Sequence, residues 1–353
     1  MQTRPLGRSA LEVPPLAFGA YAIGGGYWGT TQDELALGAM RAAVECGMSA
    51  IDTAPVYGFG HSERLVGELV KSCRDEVLIF SKCGIRWDDL RGGDGKEILG
   101  PGGVKRRVER DSRPESVRYE VEQSLARMEI ERIDLLQVHA RDPLVPVAET
   151  MGALLELRAE GKLREIGVSN YTEGELEEAR LALGDVPLAS DQPQYSLLCR
   201  DIEADILPWA QAHEVGLLVY SPIAQGLLTG KVPAERRFSQ DEGRATKPDF
   251  QSENRARVNA VIDEVLRPIA RGRDATVAQI VLAWTIAQSG VTSALVGARN
   301  AEQVHENAAA AAICLTEEEQ LLIARSFEAI NIDRGAVSLR ARLRAKFKQL
   351  LGR

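Results

Sequence analysis

The stretch IDTAPVYGFGHSE (51–63) places Asp52, Tyr57 and His61 within a dozen residues, directly after a short apolar run. Three titratable side chains there are either a polar loop with an exposed tyrosine or half of an active site. Two more candidates close apolar runs downstream, Lys82 in VLIFSK (77–82) and His139 in IDLLQVH (133–139). Taken singly, each has an ordinary explanation. A strand-end Asp caps a helix, a Lys is a solvated tip, and a lone His satisfies a core. Taken together, Asp52, Tyr57, Lys82 and His139 describe a proton donor. A phenol with an unperturbed pKa of about 10 exchanges protons poorly at neutral pH. A neighbouring ammonium favours the phenolate and lowers that pKa. A carboxylate pairs the ammonium, and an imidazole orients a carbonyl or relays a proton.

For these residues to meet, the runs that carry them must share one end. Eight short apolar runs alternate with helical patterns, at 14–19, 49–52, 77–82, 133–139, 165–170, 187–191, 216–221 and 292–297. Continuous apolar strands separated by helices predict a parallel sheet covered on its outer face. Eight such units predict an α/β (β/α)8 barrel, a single domain over 1–353 with extra C-terminal helices. Thr31…Glu34, Thr172…Glu175 and Thr316…Glu319 read as capping boxes opening three of the helices. Residues 84–113 read as a long polar segment. In a barrel the carboxyl ends of all strands converge on one face, where chemistry is done. That face collects Ser169 and Asn170, Asp191 and Gln192, and Tyr220 and Ser221 from the fifth, sixth and seventh strands.

The composition narrows the classes. The 353 residues are 44% hydrophobic and 27% charged, with a net charge of −8 and a pI near 5.3. An acidic balance argues against a nucleic-acid binder, and no apolar run reaches the ~20 residues of a membrane helix. The N-terminus lacks the apolar centre of a signal peptide. Five scattered cysteines, none in a CxxC pair, predict reduced thiols in a cytoplasmic protein with no metal site. Cys83, in SKCG, reads as a small strand-end filler. GAYAIGGG and GFGHSE lack a complete GxGxxG, and GLLTGKV is one residue short of a phosphate loop. Residues 334–353 read as a basic amphipathic helix, with Leu339, Leu343, Phe347 and Leu350 on one face. Such a helix would dock on the barrel or on a second subunit of a homo-oligomer, in preference to a membrane.

IDTAPVYGFGHSE, LIFSKCG, IDLLQVH, IGVSNY, QPQYSLL, VYSPIAQGLLTGK and VGARNAEQVHEN, in this order over almost the whole chain, resemble the aldo-keto reductases. The resemblance implies a tetrad of Asp52, Tyr57, Lys82 and His139 that reduces an aldehyde or ketone reversibly with NADPH, with Lys82 lowering the Tyr57 pKa. It also implies an extended cofactor across the barrel mouth. Ser169, Asn170 and Gln192 would hold the carboxamide, with Tyr220 stacked on the nicotinamide. Ser221, Ile223, Gly226 and Leu228 would follow the pyrophosphate. Gly297, Arg299, Gln303 and Asn307 would surround the adenosine. On the substrate side stand Tyr21, Trp28 and Trp87, aromatic walls for a small carbonyl or alcohol compound or packing for the loops. Residues 233–253, with Arg236, Arg237, Arg244 and Lys247, are either a flap over the pyrophosphate or a charged surface loop. Two other functions fit the same residues. One is a Schiff-base lyase with Lys82 as nucleophile. The other is a cofactor-sensing subunit, since potassium-channel β subunits resemble this family too.

Overall fold

The computed structural model describes residues 1–26, 31–92, 95–239 and 242–333. Its first feature is a small antiparallel hairpin of β1 (Arg4–Pro5) and β2 (Glu12–Val13). Leu6, Leu11 and Val13 of this hairpin are buried in one cluster with Ala17, Ala50, Phe80, Leu135, Ala189, Leu218 and Leu295. Those residues line the inside of the barrel, so the hairpin stoppers it. Leu6 meets Gly216, the first residue of its strand, which places the stopper at the amino ends.

The barrel strands follow. They are β3 (Leu16–Gly19), β4 (Ala50–Asp52) and β5 (Leu78–Cys83), then an antiparallel excursion of β6 (Ile85–Arg86), β7 (Gly95–Leu99) and β8 (Lys105–Arg110). The rest are β9 (Ile133–Val138), β10 (Leu163–Ser169), β11 (Leu188–Gln192), β12 (Gly216–Tyr220) and β13 (Val291–Val296). The eight barrel strands close in the order β10-β11-β12-β13-β3-β4-β5-β9, every pair parallel. Each expected strand is found. They are legible because parallel strands buried on both faces are continuous apolar runs.

Helices cover the outer face. They are α1 (Asp33–Glu45), α2 (His61–Val70), α3 (Pro114–Met128), α4 (Val147–Ala159), α5 (Glu173–Leu183), α6 (Ile206–Ala212), α7 (Ser252–Val261), α8 (Arg267–Gly272), α9 (Val277–Ala287), α10 (Ala301–Ala309) and α11 (Glu317–Glu328). Their apolar faces and the outward strand residues form a second, larger cluster. The boxes Thr172–Glu175 and Thr316–Glu319 form, and Thr276–Gln279 makes an unforeseen third. Thr31…Glu34 does not form: Gln32 precedes α1 without a side-chain cap. Asp33 instead meets His61 Nε2 of α2 at 3.0 Å.

Two further segments carry structure that the sequence did not announce. The polar segment 84–113 is a three-stranded sheet. Its strands are largely exposed, so KRRVER shows no apolar alternation to announce them. The basic loop 233–253 is anchored: Phe238 packs edge-on against Phe250 at 5.4 Å, with the Arg236, Arg244 and Arg255 guanidinium groups 5.0–5.2 Å from the Phe238 ring. Arg255 also donates to the carbonyls of Pro233 and Arg236. The basic tail 334–353 and Trp28 lie outside the described residues. Among the described residues no helix is long and apolar enough to cross a membrane.

Candidate active site

Asp52 ends β4 and Lys82 lies near the end of β5, two neighbouring strands. Phe80 points into the barrel, so alternation sends Lys82 inward as well. Its Nζ donates to Asp52 Oδ1 at 2.6 Å and to the Thr53 carbonyl at 3.1 Å. Both side chains are buried, at 1% and 3% exposure. Removing such a pair from water costs several kcal/mol per ion unless further hydrogen bonds complete it. Here Gln192 Nε2 reaches Asp52 Oδ2 at 2.8 Å and Gln137 Nε2 approaches it at 3.4 Å. Gln192 also donates to Gln137 Oε1 at 3.2 Å, which joins four strands through one carboxylate.

Tyr57 stands above this pair, five residues past Asp52. Lys82 Nζ is 5.2 Å from the centre of its ring. The His139 ring meets it edge-on at 5.9 Å and 85°, and Tyr21 packs against it at 4.8 Å. The loop that carries Tyr57 is pressed onto the loop after β3. A Cβ on Gly24 would lie 2.9 Å from the Tyr57 carbonyl carbon, and one on Gly58, at φ 62°, would lie 2.0 Å from the Gly24 oxygen. Only glycine fits this crossing, and the crossing fixes the tyrosine.

The proton affinities follow from burial. Burial, and then the Asp52 carboxylate, push the Tyr57 phenol well above its ordinary value. Burial lowers the Lys82 ammonium against the opposing pull of Asp52. Burial, followed by Lys82 and Lys96, holds His139 well below the usual imidazole value, so it is neutral at neutral pH. The expected lowering of the phenol by Lys82 is therefore reversed in the free protein. The physical reason is burial first and the Asp52 carboxylate second.

Next to the tetrad lies a ledge. Ser169 Oγ donates to the Gln192 carbonyl at 2.8 Å. Asn170, exposed and at φ 59°, donates to the His139 carbonyl and to Ser169 Oγ, and accepts from the Tyr220 hydroxyl at 2.9 Å. Tyr220 is half-buried, packed against the barrel interior below. Gln192 is different: its amide nitrogen is turned down onto Asp52, beneath the ledge.

The chain then turns through Ser221 at φ 58° and Ile223 to Gly226 at φ 93°. Gly226 has open space around it, with Arg244 Nη1 as its nearest neighbour at 3.9 Å from a Cβ built there. Leu228 is a correction. It is fully buried, and its N–H is taken by the Ile223 carbonyl, so it supports this turn from below.

At the far end, Arg299, Asn300 and Gln303 line a cleft of about 300 Å³ with Ile23, Thr31, Gln32, Leu35 and Ala36. Gln303 Oε1 accepts from the Arg299 N–H at 2.8 Å. Gly297 is exposed at the end of β13, and Asn307 is buried on α10.

A nicotinamide dinucleotide suits this surface. A half-buried tyrosine, an exposed amide, an open glycine turn beneath an arginine and a polar cleft follow one another across the mouth. On the substrate side, Tyr21 adjoins Tyr57, whereas Trp87 packs on Phe59 at 5.5 Å. Cys83 is a buried filler whose thiol burial pushes up, followed by Glu120. Sequence reasoning missed Gln137. Its signal was a glutamine two residues after Leu135, on the inward side of β9.

Comparison with known proteins matches residues 15–326 to the model of the Aldo/keto reductase family. An NADH-specific methylglyoxal reductase of Escherichia coli strain K12 is 35% identical over 94% of this chain and 99% of its own. The aldo-keto reductase YhdN of Bacillus subtilis strain 168 is 33% identical over 91% and 92%. Among solved structures, the glycerol dehydrogenase AKR11B4 from Gluconobacter oxydans superposes with a TM-score of 0.81 at 34% identity, covering 94% of this chain and 98% of that one.

The buried pair makes a stability prediction. Asp52→Ala leaves an uncompensated ammonium inside the barrel and should cost about 3–5 kcal/mol in denaturant unfolding. Adding Lys82→Met should recover much of that loss, because the stranded charge is gone. Strict additivity of the two losses would show that the residues are not coupled.

Proposed function

This chain belongs to the aldo/keto reductase family, and we propose that it reduces an aldehyde or ketone to the alcohol with NADPH in preference to NADH, Tyr57 donating the proton. The observation that carries this reading is the buried Lys82–Asp52 pair directly beneath the ring of Tyr57, with the neutral His139 beside it. When bound, the reduced nicotinamide supplies a hydride to the carbonyl carbon. Ser169, Asn170 and Tyr220 would hold its ring, and the turn from Ser221 to Gly226 would carry the pyrophosphate.

The remaining work belongs to side chains of the mouth. Tyr57 presents its O–H to the carbonyl oxygen. His139, uncharged, donates a ring N–H to the same oxygen and fixes its position. As negative charge builds on that oxygen, the phenol proton moves to it. Lys82 then steadies the phenolate left behind, and Asp52 keeps Lys82 in place. A proton from water restores Tyr57. A phenol held high is a competent donor to an alkoxide, which is a much stronger base than phenolate. In the reverse direction Tyr57 must first ionise, so alcohol oxidation should rise toward alkaline pH. Lys82 is ill-suited to be a Schiff-base nucleophile. It is buried, and its ammonium is committed to Asp52 and the Thr53 carbonyl.

The preference for NADPH rests on Arg299 at the mouth of the polar cleft, since a guanidinium suits a 2′-phosphate. Arg299→Ala should weaken NADPH binding about tenfold, equivalent to about 1.4 kcal/mol, and leave NADH nearly unchanged. Equal affinities of the parent for the two cofactors in a fluorescence titration would contradict it.

Tyr57→Phe tests the proton donor. The variant should keep parental NADPH affinity and lose about 10²–10⁴-fold in carbonyl reduction, followed by NADPH absorbance. Retention of more than about a tenth of turnover, with chemistry rate-limiting, would assign the proton elsewhere.

A further inference from the structure

The excursion of β6, β7 and β8 is used neither by the tetrad nor by the cofactor ledge. In an antiparallel pair, directly opposed residues share a face. Lys96 is opposite Val108, and Ile98 is opposite Arg106. Val108 is buried on this face as Glu109 is on the other, so it is the contacts of Arg106 that orient the sheet. Arg106, on the same face, lies 4.9 Å from the centre of the Phe59 ring and 5.7 Å from that of Trp87. Phe59 is two residues past Tyr57. At the end of β7, the Leu99 carbonyl crowds Gly26 and Gly100 crowds the Phe59 ring. The excursion is therefore a wall of the mouth on the Tyr57 side.

That wall is basic. Lys96 is exposed on it, and among the described residues no carboxylate pairs with it. Its charge acts on the His139 ring and on Lys247, which arrives half-buried from the loop after β12 with Asp249 beside it. The acids of the same strands are on the other face, Glu97 opposite Arg107 and Glu109 held by Arg107 at 2.8 Å. Lys247 has Asp249 beside it and Lys82 is neutralised by Asp52, so the cations that this wall itself presents are Lys96 and Arg106. A cation without a carboxylate partner on the wall of the mouth attracts a negative group that enters there.

On the basis of the proposed carbonyl reduction, we infer that the preferred substrate carries an anionic group, a carboxylate or a phosphate, and that Lys96 receives it while the carbonyl meets Tyr57 and His139. Lys96 is then a specificity-determining residue and takes no part in the proton transfer.

The test compares matched probes. Butanal is set against succinate semialdehyde, and glyceraldehyde against glyceraldehyde 3-phosphate, in the parent, Lys96→Met and Lys96→Arg. The parent should favour the anionic member of at least one pair, which also identifies carboxylate or phosphate as the group read. Lys96→Met should lower kcat/KM for that member about tenfold, chiefly through KM, and leave the neutral member unchanged. Lys96→Arg should retain the preference. Added salt should weaken the anionic reaction in the parent and in Lys96→Arg, and leave it unchanged in Lys96→Met. Equal losses on both members, no loss on either, or a loss of NADPH affinity in Lys96→Met would overturn the inference.

Binding of succinate and inorganic phosphate to the parent and Lys96→Met, read by tryptophan fluorescence, separates the two claims. Turnover of neutral aldehydes with no Lys96-dependent anion effect overturns the inference and leaves the reductase reading standing. Lys96-dependent anion binding with no turnover of any carbonyl does the reverse.

Discussion

An ammonium and a carboxylate buried together at the end of a barrel are an expensive arrangement, and the residues around Lys82 and Asp52 are organised to meet that cost. Asp52 Oδ1 takes the lysine, and Oδ2 takes amide donors from β11 and β9. The lysine's second bond goes to the Thr53 carbonyl. Four strands of the closed sheet thus converge on one carboxylate. The barrel supplies this convergence because its parallel strands end together. The stopper closes the other end, with Leu6 and Leu11 in one apolar cluster with Phe80 and Leu135.

The pairing also determines what Tyr57 can do. A bare ammonium beside a phenol would pull its proton off. Burial, and then the Asp52 carboxylate in contact with that ammonium, turn the direction the other way. Tyr57 therefore waits as a neutral acid, beside an imidazole that burial also keeps neutral. Neither group carries charge until the reaction develops it. In a partly enclosed mouth, charge that appears only in the transition state is where fixed dipoles act most strongly.

Much of this was legible in the residues. The eight barrel strands were visible as apolar runs, and the four tetrad residues stood at or near the ends of three of them. What escaped notice had physical reasons. The strands β7 and β8 are exposed, so no alternation of apolar residues marks them, yet they form a wall of the mouth. Gln137 was hidden because one uncharged polar residue between Asp134 and His139 in IDLLQVH is unremarkable until its partner Asp52 is placed opposite. Thr31 and Glu34 have the spacing of a cap, but Asp33 is drawn instead to His61. Leu228 follows the cofactor path in sequence and faces the core in space. Residues 233–253 left a flap and a charged surface loop both open, and their aromatic anchors, Phe238 and Phe250, went unnoticed because they are twelve residues apart.

Proton donation by Tyr57 depends on a phenol that stays protonated above a neutralised lysine. A direct measurement is the alkaline ultraviolet titration of phenolate in the free protein, taken as the difference between the parent and Tyr57→Phe. The difference should titrate above the ordinary tyrosine value of 10.0. A phenolate that forms below that value would mean that Lys82 acts on Tyr57 as an unscreened charge, and that Asp52 does not cancel its field.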